Sequence, residues 1–147
     1  MSVDVVPGVV ARDDQSAEPV DVERWATLAT DVLAAEGEAG ELNLLFVDEA
    51  TMAVLNQEHM GHDGPTDVLS FPIDGPGAGP DGLLGDVVVC PAVARRNAPD
   101  HAGTYEDELA LLVVHGVLHV LGHDHAEDDE AAVMRAAELA HLGRFSS

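Results

Sequence analysis

The segment HGVLHVLGHDH, from His115 to His125, places the strictest constraint on how this chain can fold. Two of its histidines, His115 and His119, are four residues apart, so a helix presents both imidazoles on one face, one turn apart. The sequence predicts that helix from Thr104 to Leu121, because an apolar stripe runs beside the histidines at Leu111, Val114, Leu118 and Leu121. Gly122 accepts a left-handed backbone at low cost, so we expect the helix to end there and the turn to bring His125 back over the same face.

This arrangement of imidazoles indicates a metal site. Four of the chain's eight histidines fall within these eleven residues, and two lie on an apolar helix where an unpaired imidazole is costly. The alternative is that they are surface histidines after a helix, or that one of them is buried in the core with a hydrogen-bond partner. Three neutral imidazoles, from His115, His119 and His125, leave a fourth tetrahedral position open, as in catalytic zinc sites, and all-nitrogen ligation favours one zinc ion per chain. Asp124 is a candidate either for a hydrogen-bond acceptor behind a ligand or for a weak base beside the metal.

The rest of the chain predicts an α+β fold, with a mixed sheet of about four strands packed against helices. At 147 residues, 46% of them hydrophobic, the chain fits one domain spanning residues 1–147 with a real core. Predicted strands are Val3–Val10, Glu41–Val47, Asp67–Ile73 and Gly85–Cys90. Predicted helices are Val20–Glu36, one capped by Asp48 and running to His59, one opened by Pro91, the helix described above, and Asp128–Leu142.

The composition indicates in which compartment the protein works and which partners it avoids. The formal net charge is −22, with six arginines and no lysine. Such a charge disfavours non-specific binding to polyanions such as nucleic acids. The single cysteine, Cys90, excludes an internal disulfide and is expected to be a buried small hydrophobe. Neither a signal peptide nor a membrane span is recognisable, so we expect a cytoplasmic protein.

Gly116 decides which zinc chemistry is plausible. The spacing H-x3-H-x2-G-x2-H is that of the metzincin proteases, so the helix is metzincin-like, but their motif carries a glutamate after the first histidine as general base. Here that position is Gly116. Peptide hydrolysis without the base would be about 100 to 10,000-fold slower, whereas a zinc ion alone can still stabilise charge on a phosphoryl oxygen.

Together with GPTDVLSFP (Gly64 to Pro72) and LLGDVVVC (Leu83 to Cys90), the histidine segment resembles the YbeY endoribonuclease family of bacterial ribosomal RNA maturation factors. The resemblance covers roughly residues 41 to 135. It implies an α+β fold and a zinc ion bound at His115, His119 and His125. It also implies cleavage of single-stranded RNA, maturation of the 3′ end of small-subunit ribosomal RNA, and ribosome quality control. The implied partners are the ribosome, a small-subunit protein and a ribosome-associated GTPase.

One position departs from the family pattern. Many members carry an arginine before the glycine that leads to the TDVLSF segment, and this chain has Met60 there. Arg95 and Arg96, the only paired cations, are candidate phosphate contacts, and a solvated helix face is their other interpretation. Thr66 and Ser70 are candidate substrate contacts if the TDVLSF segment lines the groove beside the metal. Otherwise the apolar residues of this segment pack in the core and its polar residues only stabilise turns.

Three functions remain open at this point. The first is a metal-dependent endoribonuclease. The second is a ribosome assembly factor whose zinc is mainly structural, favoured by the charge of −22 and by Met60. The third is a metallopeptidase of unusual mechanism, disfavoured by Gly116.

Overall fold

The computed structural model describes residues 2–6, 8–123 and 127–146. Within these ranges five strands and five α-helices follow one another in the order β1 Ser2–Val6, β2 Val9–Asp14, α1 Val22–Ala35, β3 Glu41–Val47, α2 Glu49–Met60, β4 Val68–Pro72, β5 Leu83–Val89, α3 Pro91–Asn97, α4 Tyr105–Val120 and α5 Asp128–Ser146. A short 3-10 helix, Ala98–Asp100, follows α3.

The strands form one mixed sheet in the order β1-β2-β3-β5-β4. Strands β2, β3 and β5 run parallel, while β1 and β4 pair antiparallel with their neighbours at the two edges. The predicted α+β class with a mixed sheet is confirmed. The described sheet has one strand more than we expected, because Val3–Val10 does not form a single strand. The chain reverses near Gly8, so this stretch supplies β1 and the start of β2.

Side-chain alternation along the strands divides the core. On β3, Leu42, Leu44 and Phe46 are fully buried against α1 and α4, because successive side chains of a strand point to opposite faces. The opposite face of the sheet carries a smaller cluster, which includes Val47 at the end of β3 and Met52 of α2. Trp25 and Cys90 are buried in these clusters, as predicted.

Helix α4 carries the predicted histidines, and both of its ends follow from sequence. The Thr104 hydroxyl accepts the backbone N–H of Asp107 at 3.1 Å, which satisfies one of the free donors of the first turn. At the other end Gly122 has φ +97°, and the N–H of His123 donates to the carbonyl of Leu118. These bonds end the helix where the sequence predicts. None of the helices within the described ranges is long and apolar enough to cross a membrane.

Candidate metal centre

His115 and His119 lie on one face of α4, with ring centroids 5.9 Å apart and ring planes at 77°. A zinc ion bonded to an imidazole nitrogen at about 2.0–2.1 Å lies roughly 3 Å from that ring's centre. Two rings that share one ion therefore have centroids no more than about 6 Å apart. The observed separation lies just inside this limit, so one ion could reach both rings. A tetrahedral angle at zinc corresponds to a centroid separation of about 5 Å, so binding would draw the two rings closer together.

Glu138 of α5 lies directly behind His115. Its Oε2 is 2.6 Å from Nδ1 of His115, and Glu138 is 6% exposed. A carboxylate in this position accepts the Nδ1–H and leaves Nε2 unprotonated, which is the usual arrangement behind a metal-binding histidine. This contact is the feature of the structure that most favours a metal at His115.

Glu138 was not predicted from the sequence. It is 23 residues from His115, and no motif connects the two. The sequence carries one partial signal, the helical spacing of Met134, Glu138 and His141. The structure then shows that all three side chains are buried. A glutamate on the buried face of a helix requires a partner, and an imidazole across the interface supplies it.

Two predicted site residues, Asp124 and His125, lie outside the described residues. Within residues 2–6, 8–123 and 127–146 the structure assembles no cluster of three or more histidine, cysteine or acidic side chains that could hold a metal. The described part of the candidate centre is therefore the pair on α4, and His125 as the third ligand stays a prediction.

Gly116 faces the sheet. A Cβ built at this position would lie 2.5 Å from Cγ1 of Val87 and 3.3 Å from Cγ2 of Val68. Real Cβ contacts are not this short, so α4 can approach β4 and β5 so closely only with glycine there. The position after the first histidine therefore has no room for the glutamate that the protease motif places there.

The TDVLSF segment runs beside the candidate centre. The Ser70 hydroxyl donates to the carbonyl oxygen of Gly116 at 3.0 Å, which joins β4 to α4 next to His115. Asp67 and Val68 line a cavity of about 290 Å³ together with His115. Thr66 is half-buried, and its hydroxyl lies 3.5 Å from Oδ1 of Asp67. Leu69 is core, whereas Asp67 and Val68 border the cavity. The roles of Thr66 and Ser70 as substrate contacts stay predictions.

Arg95 and Arg96 lie far from the histidines. Arg95 contacts Glu18 at 2.9 Å, and its guanidinium lies 3.9 Å from the ring centre of Tyr105, at the start of α4. Tyr105 and His115 are ten residues apart on one helix, a distance of about 15 Å along its axis. Arg96 pairs with Glu49 at 2.5 Å. The structure thus does not bring these two arginines to the candidate centre, and their role in binding substrate stays a prediction.

Glu36, at the end of α1, contacts histidines from two different segments. Its Oε2 is 3.0 Å from Nε2 of His141 on α5, and its Oε1 is 3.6 Å from Nε2 of His123 in the turn after α4. His141 is buried. One carboxylate therefore ties α1 to both the turn and the last helix.

The chain is similar to known proteins over most of its length. The model of a family described as endoribonuclease YbeY matches residues 10–146. A protein of Thermobifida fusca named endoribonuclease YbeY is 47% identical over 138 residues, which cover 88% of this chain and 84% of the relative. A relative of the same name from Salinispora tropica is 44% identical over 147 residues, covering 91% of this chain and 94% of the relative.

The fold has a match among solved structures as well. The solution structure of TM1509 from Thermotoga maritima matches with a TM-score of 0.67 at 28% identity, covering 93% of this chain and 88% of that one. The resemblance inferred from the histidine and TDVLSF segments is confirmed. Since the family match extends over residues 10–146 and the relative from Thermobifida fusca is 47% identical over 88% of this chain, this chain belongs to the YbeY endoribonuclease family.

Proposed function

We propose that this chain is a zinc-dependent endoribonuclease that cleaves single-stranded RNA. In this proposal His115, His119 and His125 hold one zinc ion, and the chain acts as a single catalytic domain. The observation that carries it is the 2.6 Å contact between the buried Glu138 carboxylate and Nδ1 of His115, an arrangement typical of metal-binding histidines. The family's name supplies the reaction class.

The residues of the chain prepare the site in three ways. Glu138 holds the proton of His115 on Nδ1, so the Nε2 lone pair is available for coordination. Helix α4 fixes His119 one turn further on the same face. Ser70 and Gly116 hold β4 against α4, which keeps the cavity wall next to His115. When bound, zinc supplies Lewis-acid stabilisation of charge on a phosphoryl oxygen and lowers the pKa of water.

The biological substrate in this proposal is the 3′ end of small-subunit ribosomal RNA, cleaved in the cytoplasm during late maturation and ribosome quality control. The ribosome, a small-subunit protein and a ribosome-associated GTPase are the proposed partners. These assignments rest on membership of the family, whose curated relatives carry the name endoribonuclease.

The direct test compares wild-type protein with His119→Ala, purified in parallel, on a single-stranded RNA carrying the small-subunit 3′ end. We expect cleavage by the wild type and loss of cleavage in the variant. The same RNA annealed to its complement serves as the control and should be cut more slowly. Equal cleavage by both proteins would show a contaminating nuclease and contradict the proposal.

The charge of the chain favours one other function, a ribosome assembly factor with a structural zinc. The net charge is −22, and four of the described arginines are tied to acidic side chains at 2.5–2.9 Å. In that case zinc removal would unfold the protein, and the wild type would not cleave RNA. If instead the zinc-free protein stays folded and regains cleavage when zinc is returned, the assembly-factor function is excluded.

A further inference from the structure

A groove runs along α4 away from His115. The cavity of about 290 Å³ beside His115 shares three lining residues, His101, Leu111 and Arg135, with a second cavity of about 380 Å³. The two cavities are therefore neighbouring parts of one depression, which has His115 at one end and Leu142 and Asp107 at the other. Combined, they fall in the size range of small-molecule sites.

Arg135 is paired differently from the four other arginines whose side chains the structure describes. The ion pairs of Arg12, Arg24, Arg95 and Arg96 measure 2.5–2.9 Å. The Nη1 of Arg135 is 3.9 Å from Oε1 of Glu138, at the limit of an ion pair, and its side chain is 61% exposed. An exposed guanidinium in such a long contact keeps most of its donors available for an anionic ligand.

Three carboxylates around the groove already have hydrogen-bond donors. Glu138 contacts His115 through its other oxygen. Glu108 is fully buried, contacts Nδ1 of His101 and accepts the backbone N–H of Ala102. Asp67 accepts the backbone N–H of Val68 at 2.8 Å. These three acids thus have donors of their own, while Asp107 is exposed at the far end of the groove. The one ion pair of Arg135 that the structure describes is the long contact with Glu138.

His101 completes the wall of the groove. Its Nδ1 lies 2.8 and 2.9 Å from the two oxygens of Glu108, so a buried carboxylate fixes the ring at the cavity surface. Glu108 and His115 are seven residues apart on α4, a distance of about 10.5 Å along the helix axis. Imidazole rings are among the surfaces on which unstacked RNA bases stack, and Leu111 adds apolar surface beside the ring of His101.

We propose that this groove is the subsite for a nucleotide next to the scissile phosphate, in which Arg135 binds a backbone phosphate and His101 and Leu111 border the base. The inference rests on the proposed ribonuclease function and assigns its substrate contacts to residues that no motif marks. It also answers the question raised by Met60, since a cation close to the candidate centre is supplied from α5 instead.

The test measures binding of a fluorescent 2′-O-methyl RNA single strand to the zinc-loaded protein at several salt concentrations. Arg135→Gln is compared with Arg12→Gln, an exposed arginine of β2 paired with Asp14. Both substitutions remove one positive charge, so the long-range repulsion from a chain of charge −22 is matched. Loss of a phosphate contact should weaken binding about tenfold and lower the salt dependence, log Kd against log salt, by about 0.7. Arg135→Lys should restore part of both.

Zinc content and cleavage of unmodified RNA are measured on the same preparations. Equal binding and salt dependence for Arg135→Gln and Arg12→Gln, in a wild-type background that cleaves RNA, would overturn the inference alone. A wild type that does not cleave RNA would instead mark failure of the proposed function. Loss of zinc in Arg135→Gln would show that Arg135 acts through Glu138 on His115, which would overturn phosphate binding as its role.

Discussion

Replacing Glu138 tests whether His115 is a metal ligand without relying on catalysis. Glu138→Ala removes the acceptor 2.6 Å from Nδ1 of His115. Loss of such a partner lowers metal affinity by about 10 to 100-fold. Because Glu138 is buried, its bond is little weakened by solvent, and we expect the upper end of that range, about 100-fold or ~2.8 kcal/mol.

Glu138→Gln should have an intermediate effect. The amide oxygen still accepts the Nδ1–H, but a charge-assisted hydrogen bond is about twice as strong as a neutral one. Glutamine should therefore retain about half of the free energy and bind zinc about tenfold more weakly than the wild type. The three zinc dissociation constants are measured by competition with a fluorescent chelator.

Glu23→Gln, an exposed acid in the first turn of α1, is the matched control for charge. It should bind zinc as tightly as the wild type. Thermal unfolding of the metal-free proteins shows whether any variant has lost its fold. Zinc affinities within threefold of wild type for both Glu138 variants, or equal losses for alanine and glutamine, would refute the reasoning.

Three further predictions concern stability and reactivity. Gly116→Ala should destabilise the protein by up to about 2 kcal/mol in denaturant titrations. Overpacking against Val87 costs about 1–3 kcal/mol, and the helix preference of alanine offsets about 1 kcal/mol of that cost. A gain in stability would contradict this and show that the Val87 side chain can move away. The backbone N–H of Thr51 lowers the pKa of Asp48 below its ordinary 3.8, so its cap stabilises the fold above that value and is lost as the pH falls through the lowered pKa. The stability gap between wild type and Asp48→Ala should therefore be full at neutral pH and close in strong acid, and a constant gap would contradict the cap. Burial raises the pKa of the Cys90 thiol, so thiol reagents should react only as fast as the protein unfolds, and rapid labelling of the native protein would contradict this.

Local sequence rules predicted the elements that carry their own signals. The Asp48 and Thr104 caps and the turn at Gly122 lie where expected, because each depends on contacts within a few residues. The Val3–Val10 stretch reads as one strand if only its valines are weighed, but the dipeptide Pro7-Gly8 in its middle is a turn signal. The chain reverses near Gly8, so this signal outweighs the apolar run.

The contacts of the candidate centre could be predicted only in part. Spacing alone places His115 and His119 on one face of a helix. Their support depends on tertiary packing, since Glu138 reaches His115 from a helix 23 residues away. Arg95 and Arg96 were chosen because they are adjacent in sequence, whereas Arg135 lies nearer to His115 through the packing of α5 on α4. Sequence proximity carries no information on such contacts.

The central claim is that a zinc ion at the histidines of α4 enables RNA cleavage. The most direct measurement strips the protein with a chelator, returns zinc in steps and follows both cleavage of single-stranded RNA and bound zinc. We expect cleavage to be lost on stripping and to return in proportion to zinc, with saturation at about one ion per chain, as a single three-histidine site requires. His119→Ala should regain none of it. Full cleavage by the stripped protein, or recovery of cleavage in His119→Ala, would contradict the account.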